Sequence, residues 1–451
     1  MSNPGPSSSK ALKRPREADD ATSSKKSKVH PFFNQKRSDV TESAEETPFQ
    51  WLQPLGPKKT CLHGLNLKPV SSAKVAALDL DGTVIKSELR HGSDWAWWAP
   101  AVPKRLKELH EDGYSIVLIS NQNLKSAQLA TWKEKVAKIA KALESIPFRI
   151  LAATMKDEFR KPMPGMWCAL EKIFEQDGVT IDKEQSYYVG DAAGRVYSKT
   201  KKDFASTDRK WALNLDLKFF TPEEYFLGLN PNTTFELPGF NVSTLPQRMS
   251  LPLPSSFNLP IPLTTSSSVP EILPTSLPLL PLATTQELVL FVGFPSLGKT
   301  SFYQKHFKSA GYVHINQDTL KTRQKCVKAV EEAVKEGRSC VVDNTNRDKA
   351  TRKFYVDLAR KEGISVRCFH FAGSVELAWH NNLYRAFAQP LAETEVRREL
   401  IPYTAYITFK DGFEEPNANE GFAEVRRVNF VFDGTEEQRK RWGMWLQITG
   451  K

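Results

Sequence analysis

The residues Gly293-Phe294-Pro295-Ser296-Leu297-Gly298-Lys299-Thr300 constrain this chain more than any other stretch. They follow the apolar run 288–292 directly and fit GxxxxGK[ST] at every fixed position. The pattern needs a buried strand before it, a tight loop whose backbone N–H groups cradle phosphate oxygens, and a helix after it whose N-terminal dipole faces the anion. Such a strand belongs to a parallel sheet covered by helices. Lys299 is then expected to reach the β- and γ-phosphates of ATP, and Thr300 to ligate Mg²⁺.

The surrounding sequence continues that pattern. Runs at 313–315, 340–342 and 366–371 read as further strands, separated by helix-like stretches at 319–336, 348–362 and 374–387. Asp318 follows one strand, where it either accepts a proton from an attacking hydroxyl or caps the next helix. Asp343 follows another, where it either joins the Mg²⁺ shell or caps the next helix. Arg385, on a predicted helix, either neutralises transition-state charge or is a surface cation.

A second alternation of strands and helices occupies residues 60–228. The apolar run 75–78 leads into Asp79-Leu80-Asp81-Gly82-Thr83. Residues two apart share a strand face, and Gly82 lets the chain turn just past the strand. Asp79 and Asp81 therefore converge at the carboxyl edge of a parallel sheet, where ligands bind in open α/β folds. Paired carboxylates there hold Mg²⁺, and one of them is able to attack phosphorus. Later strands end in Ser120-Asn121-Gln122 and in Gly190-Asp191, and Lys161 precedes a Pro-Gly turn that opens a helix. Trp95, Trp97 and Trp98 lie in a basic context, either to stack bases of a single strand or to pack the core.

The remaining segments differ in composition. Residues 1–50 are rich in Ser, Lys, Glu and Pro and read as a disordered basic tail. Its clusters Lys13-Arg14-Pro15-Arg16 and Lys25-Lys26-Ser27-Lys28 suit a nuclear localisation signal or simply a solvated tail. Between 229 and 286 Pro, Leu, Ser and Thr dominate, which excludes a helix or central strand and reads as a linker, extended or laid on its flanking domains. Residues 287–451 form the second α/β unit. The net charge of +11 favours polyanionic partners. Five cysteines, none in a CxxC pair, indicate neither a disulfide framework nor a zinc cluster. There is no apolar run of membrane-spanning length and no signal-peptide core, so a soluble intracellular protein is expected.

Longer blocks carry a resemblance. Residues 79–83 (DLDGT), 120–122 (SNQ), 161–166 (KPMPGM), 188–195 (YVGDAAGR) and 201–214 (KKDFASTDRKWALN) resemble haloacid dehalogenase-like phosphatases, and more closely the phosphatase half of polynucleotide kinase 3′-phosphatases. Residues 293–300 (GFPSLGKT), 311–320, 341–346, 380–385 (HNNLYR) and 420–422 resemble the P-loop kinase half of the same family. The implied fold is α/β, two parallel-sheet domains. The resemblance implies Asp79 as nucleophile and Asp81 as general acid/base, with Ser120 and Lys161 holding the transferring phosphoryl group. It implies that Asp191 and the backbone carbonyl of Asp81 complete the Mg²⁺ site of Asp79. In the other half it implies Asp318 as general base and Arg385 as the transition-state arginine. Ser296 departs from the family, where many members carry glycine, and Leu383 stands where relatives often have a basic residue. The implied activity is removal of 3′-phosphates and ATP-dependent phosphorylation of 5′-hydroxyls at DNA ends, by a nuclear monomer working with other strand-break repair proteins. Neither end shows the forkhead-associated domain of animal members, so the fungal form is expected. Two rival readings stand beside it: a small-molecule phosphatase fused to a small-molecule kinase of metabolism, and a scaffold whose sites have decayed.

Overall fold

A computed structural model describes residues 48–86, 94–245, 270–281, 285–390 and 397–448. Both basic clusters and the middle of the linker lie outside the described residues. The first half contributes strands β1 (Phe49–Trp51), β2 (Cys61–Asn66), β3 (Val75–Asp79), β4 (Ser115–Asn121), β5 (Phe148–Ala153), β6 (Tyr187–Val189) and β7 (Lys218–Phe220). They form one sheet in the order β1-β2-β5-β4-β3-β6-β7. β5, β4, β3, β6 and β7 run parallel, while β1 and β2 add an antiparallel edge. Along β3 successive side chains enter opposite cores: Ala76 and Leu78 pack on one face, Val75 and Ala77 on the other. Helices therefore cover both faces, and only the strand ends remain open for chemistry.

Strand β1 falls across the expected tail boundary at residue 50. Phe49 and Trp51 alternate with Gln50, and their rings meet Phe148 and Trp132. The packing of two aromatics outweighs the polar composition of the residues before them.

The second half forms β8 (Glu287–Val292), β9 (Val313–Ile315), β10 (Cys340–Val342), β11 (Ser365–Ala372) and β12 (Glu424–Asn429), all parallel, in the order β12-β11-β8-β10-β9. Two expected helices are interrupted. The stretch 319–336 splits at Lys321, whose φ of 72° ends helix Gln317–Leu320, and Thr322 caps helix Arg323–Lys335 by accepting from the Lys325 N–H. The stretch 374–387 is α-helical over Val375–Leu383 and then widens into a π turn at Tyr384–Ala388.

The described parts of the linker lie on both halves: Phe235 pairs with Arg195 in the first, and residues from Phe240 onward lie on the second. Phe240, Val242 and Leu245 pack on its core, and Ile272 pairs with Val428. Proline has no N–H to give, but its carbonyl still accepts. Pro278 and Leu279 use theirs to receive the Arg367 guanidinium at 3.0 and 2.9 Å. Arg367 also pairs with Glu287 at 2.6 Å and Glu424 at 3.3 Å, all three buried. Replacing Arg367 with Ala leaves the buried Glu287 carboxylate without its cation, while Glu424 keeps Arg426 at 2.7 Å, so urea unfolding should show a loss of about 3–5 kcal/mol.

Candidate active sites

β3 ends at Asp79, which is 6% exposed and faces the Lys161 ammonium at 2.5 Å. The same ammonium meets Asp208 at 2.7 Å, the Tyr188 hydroxyl at 2.8 Å and the Ile119 carbonyl at 3.3 Å. Lys161 is held through its backbone by Asn121, which donates to its carbonyl at 3.1 Å and accepts from its N–H at 2.9 Å. Asp208 sits in the first turn of helix Thr207–Leu215 and accepts from Tyr188 and from the Ala192 N–H, both at 2.9 Å. Asp191 completes the group: one oxygen each of Asp79, Asp191 and Asp208 lie within 4.8 Å of one another.

The electrostatics follow from burial. Desolvation pushes the Asp79 carboxyl well above its usual range, Lys161 opposes that, and Asp208 and Asp191 reinforce it. Asp191 is raised to about 7 by burial and by Asp208. Burial opposes the Lys161 charge, but Asp208 and Asp79 outweigh it and its pKa rises. Three carboxylates share one ammonium, so the ionised cluster keeps excess negative charge. All its donors are hard oxygens, the set that suits Mg²⁺. Gly82 makes the cluster possible: its φ is +98°, and a Cβ there would stand 2.2 Å from Asp191 Oδ2.

Asp81 and Ser120 form a neighbouring group. Gln122 donates to Asp81 at 2.8 Å and to Ser120 at 2.8 Å, and Lys135 meets Asp81 at 3.2 Å. The Asp81 carboxylate is therefore turned to Gln122 and Lys135 and is not one of the three clustered acids. Trp95, Trp97 and Trp98 all pack against the core, as the second of their two expected roles has it.

In the second half Gly293, Phe294, Pro295, Ser296, Leu297 and Gly298 form the loop between β8 and helix Lys299–His306. Gly293 passes so close to β11 that a Cβ would stand 2.7 Å from the Phe371 carbonyl. Ser296 takes a φ of 64°, a left-handed backbone glycine would adopt freely. Its hydroxyl meets Tyr406 at 2.9 Å and Arg385 at 3.2 Å, and its carbonyl accepts from Asn381 at 3.0 Å. Side-chain contacts thus hold the loop at a position where the backbone itself favours glycine. Phe294 lays its ring on Phe409, and Leu297 is buried in the core.

Lys299 bends back to the Gly293 and Phe294 carbonyls at 3.0 and 2.6 Å, and burial lowers it to about 8. Thr300 donates to Asp343 at 2.6 Å, and His314, stacked on Tyr303, meets the same oxygen at 2.9 Å. Burial tends to raise the Asp343 carboxyl, but the bonds from His314 and Thr300 and the charge of Lys299 bring it below its usual value. Asp343 does not cap the next helix; Asp348 does, accepting from the Thr351 N–H. Asp318 and Arg385 line one cavity of about 1340 Å³ together with Lys299, Thr300 and Asp343.

The structure thus gathers Asp79, Lys161 and Asp191 in one cluster, and Lys299, Thr300, Asp318 and Arg385 around one cavity. Sequence reasoning did not single out Asp208, Asn121, Gln122, Lys135, Tyr188 or His314 for a role. Asp208, Asn121, Gln122, Tyr188 and His314 lie inside the family-like stretches, but only the fold shows what they touch.

Comparison with known proteins agrees with both halves. The family described as "Polynucleotide kinase 3 phosphatase" matches residues 74–226, and the family described as "AAA domain" matches residues 288–402. A bifunctional polynucleotide phosphatase/kinase of Schizosaccharomyces pombe is 35% identical over 382 residues, covering 83% of this chain and 83% of that protein. A polynucleotide 3′-phosphatase of Arabidopsis thaliana is 36% identical over 182 residues, covering 36% of this chain and 25% of that protein. A polynucleotide 3′-phosphatase of Saccharomyces cerevisiae is 39% identical over 79 residues, covering 16% of this chain and 31% of that protein. Among the described residues no helix is long and apolar enough to cross a membrane.

The Asp191 shift has a measurable consequence. A carboxyl raised to about 7 in the folded chain contributes stability below its unfolded value and loses it as pH rises through about 7. In EDTA the thermal midpoint should therefore fall as pH rises from about 4 to about 7, and Asp191→Asn should flatten that fall. A hard divalent cation that binds the deprotonated cluster should reverse it, and Mg²⁺ is the one to add.

Proposed function

We propose that this chain, which belongs to the bifunctional polynucleotide phosphatase/kinase family, makes broken DNA ends ligatable by removing 3′-phosphates and phosphorylating 5′-hydroxyls. Ligation needs a 3′-hydroxyl and a 5′-phosphate, and two phosphoryl-transfer sites in one chain supply both. The observation that carries the reading is the presence, at the carboxyl edges of two sheets in one chain, of a carboxylate–lysine cluster and a phosphate-cradling loop. Family membership and the net charge of +11 favour a polynucleotide over a small metabolite.

In residues 60–228 the Asp79 carboxylate attacks phosphorus, and the bond to the 3′-oxygen breaks. The departing oxygen takes a proton from Asp81. Asp79 then carries the phosphoryl group as an acyl phosphate. Water attacks that phosphorus and gives a proton to Asp81, the bond to the Asp79 oxygen breaks, and inorganic phosphate leaves with the Asp79 carboxylate restored. Ser120 and Lys161 hold the phosphoryl oxygens. Asp79, Asp191 and the Asp81 carbonyl would hold Mg²⁺, which when bound offsets the charge of acids and phosphate. Asp208, committed to Lys161, Tyr188 and a backbone N–H, keeps the lysine in place.

In residues 287–451 Asp318 takes the proton of the 5′-hydroxyl. The freed oxygen attacks the γ-phosphorus of ATP, the bond to the bridging oxygen breaks, and ADP departs. The loop Gly293–Thr300 cradles the phosphates, and Lys299 and Arg385 neutralise the charge that develops on them. Thr300, with Asp343 behind it, would hold the Mg²⁺ that accompanies ATP. The same reading implies a monomer working beside other strand-break repair proteins in the nucleus, a location supported by the basic clusters at 13–16 and 25–28.

One nicked duplex with a 3′-phosphate and a 5′-hydroxyl, incubated with Mg²⁺ and labelled ATP, tests both halves. Loss of the 3′-phosphate and labelling of the 5′ end is the expected result; two unchanged ends beside hydrolysis of a small ester would refute it. Asp79→Ala should abolish 3′-phosphate release and spare 5′-labelling, and Lys299→Ala should do the reverse. Asp318→Asn should lower kinase kcat by about 10²–10⁴-fold with little change in the KM for ATP. A loss confined to ATP affinity would assign Asp318 a binding role instead.

A further inference from the structure

Helix Thr207–Leu215 touches the phosphatase cluster at one end and the last described segment of the chain at the other. Asp208, in its first turn, pairs with Lys161 at 2.7 Å. Trp211 donates its indole N–H to the Met163 carbonyl at 3.1 Å. Asn214, 6% exposed near the helix end, makes three bonds. Its Nδ2 donates to the Pro162 carbonyl at 2.8 Å and to the Trp445 carbonyl at 2.8 Å, and its Oδ1 accepts from the Trp445 N–H at 2.7 Å. The amide thus grips both polar groups of residue 445 and keeps one hydrogen for the residue directly after Lys161. Among side chains of this length, only asparagine offers two donors and an acceptor in this plane.

The contact reaches further on both sides. Met163, fully buried, packs in the core of the second half with Trp442, Met444 and Leu446. Lys210, on the same helix, lies over the Trp445 ring at 4.9 Å. Trp442 donates to Asn381 at 2.7 Å, and Asn381 donates to the Ser296 carbonyl in the phosphate loop. The loop of Lys161 is therefore held from below by a segment belonging to the other half.

Taking the phosphatase reading as given, we propose that Asn214 is a positioning residue for 3′-phosphate removal, and that residues 442–447 of the kinase half are a structural part of the phosphatase site. Asn214 acts through the Pro162 carbonyl, fixing the height of the loop and so the reach of the Lys161 ammonium to the phosphoryl group. A displacement of about 1 Å in such a group costs on the order of 10²-fold in rate.

The test uses the full chain with Asn214→Ala, Asn214→Asp and Asn214→Gln, assayed on a 3′-phosphorylated oligonucleotide, on p-nitrophenyl phosphate and on a 5′-hydroxyl oligonucleotide with ATP. Ala and Asp, which both lose the donors, should lower phosphatase kcat by about 10- to about 100-fold on both esters, leaving KM and 5′-phosphorylation within about threefold. Gln, which keeps donor and acceptor, should recover part of the loss. Lys440→Ala, which breaks the surface ion pair to Asp216 at the same boundary, should change nothing. If Asn214→Ala does not fold, Trp445→Pro removes the peptide N–H from the other side and reads the same rates. Wild-type phosphatase kcat in folded Ala and Asp variants would overturn the inference. So would a parallel loss of both activities and thermal stability that Gln does not rescue. A wild-type chain inert toward 3′-phosphates but active on the small ester would refute the substrate reading alone, since the ester still reports on Lys161.

Discussion

The first site depends on one ammonium group that is almost wholly removed from water. Burying a lone charge is prohibitively costly, and Lys161 is stable where it stands only because Asp79 and Asp208 surround it. Each of its partners comes from a different element: Asp79 from β3, the Ile119 carbonyl from β4, Tyr188 from β6 and Asp208 from the following helix. The sheet order, with β3 between β4 and β6, is what brings these ends to one point. The second site repeats the principle with the sign reversed. There a buried carboxylate, Asp343, gathers Thr300 from a helix and His314 from β9, while its backbone carbonyl accepts from Asn316.

How much of this could be read from the chain depends on the range of the forces involved. Local patterns carried the parallel core strands, because continuous apolar runs bounded by turn residues are a short-range signal. The antiparallel edge was hidden: β2 interrupts its apolar run with His63 and Gly64, and Gly64 is there because Ile150, Phe49 and Trp51 crowd its face. Asp79, Lys161 and Lys299 were legible because their motifs are compact. Asp208 was not, since an acid in the first turn of a helix is an ordinary complement to the dipole. Asn214 gives no local sign at all: its partner at Trp445 lies 231 residues away. The linker shows the same division. Its prolines announced the absence of a strand, but only the folded chain shows the Pro278 carbonyl serving as an acceptor for Arg367.

The two halves also differ in what fixes their backbones. In the first, Gly82 admits an acid that any side chain would displace. In the second, Ser296 takes a left-handed conformation held by Asn381, Tyr406 and Arg385, so rigidity there comes from neighbours rather than from the loop itself.

The π turn at Tyr384–Ala388 gives Arg385 an unusual kind of determinacy. Such a turn is an α-helix with one residue too many, and each residue of an α-helix advances the face by about 100°. The aim of this guanidinium is thus a matter of counting as much as of identity. Removing one neighbour of any type would let the regular ladder close and swing the arginine about a quarter of the way around the axis. An insertion or deletion in this turn would redirect the side chain without changing any residue of the phosphate loop, and would take from Ser296 one of its contacts.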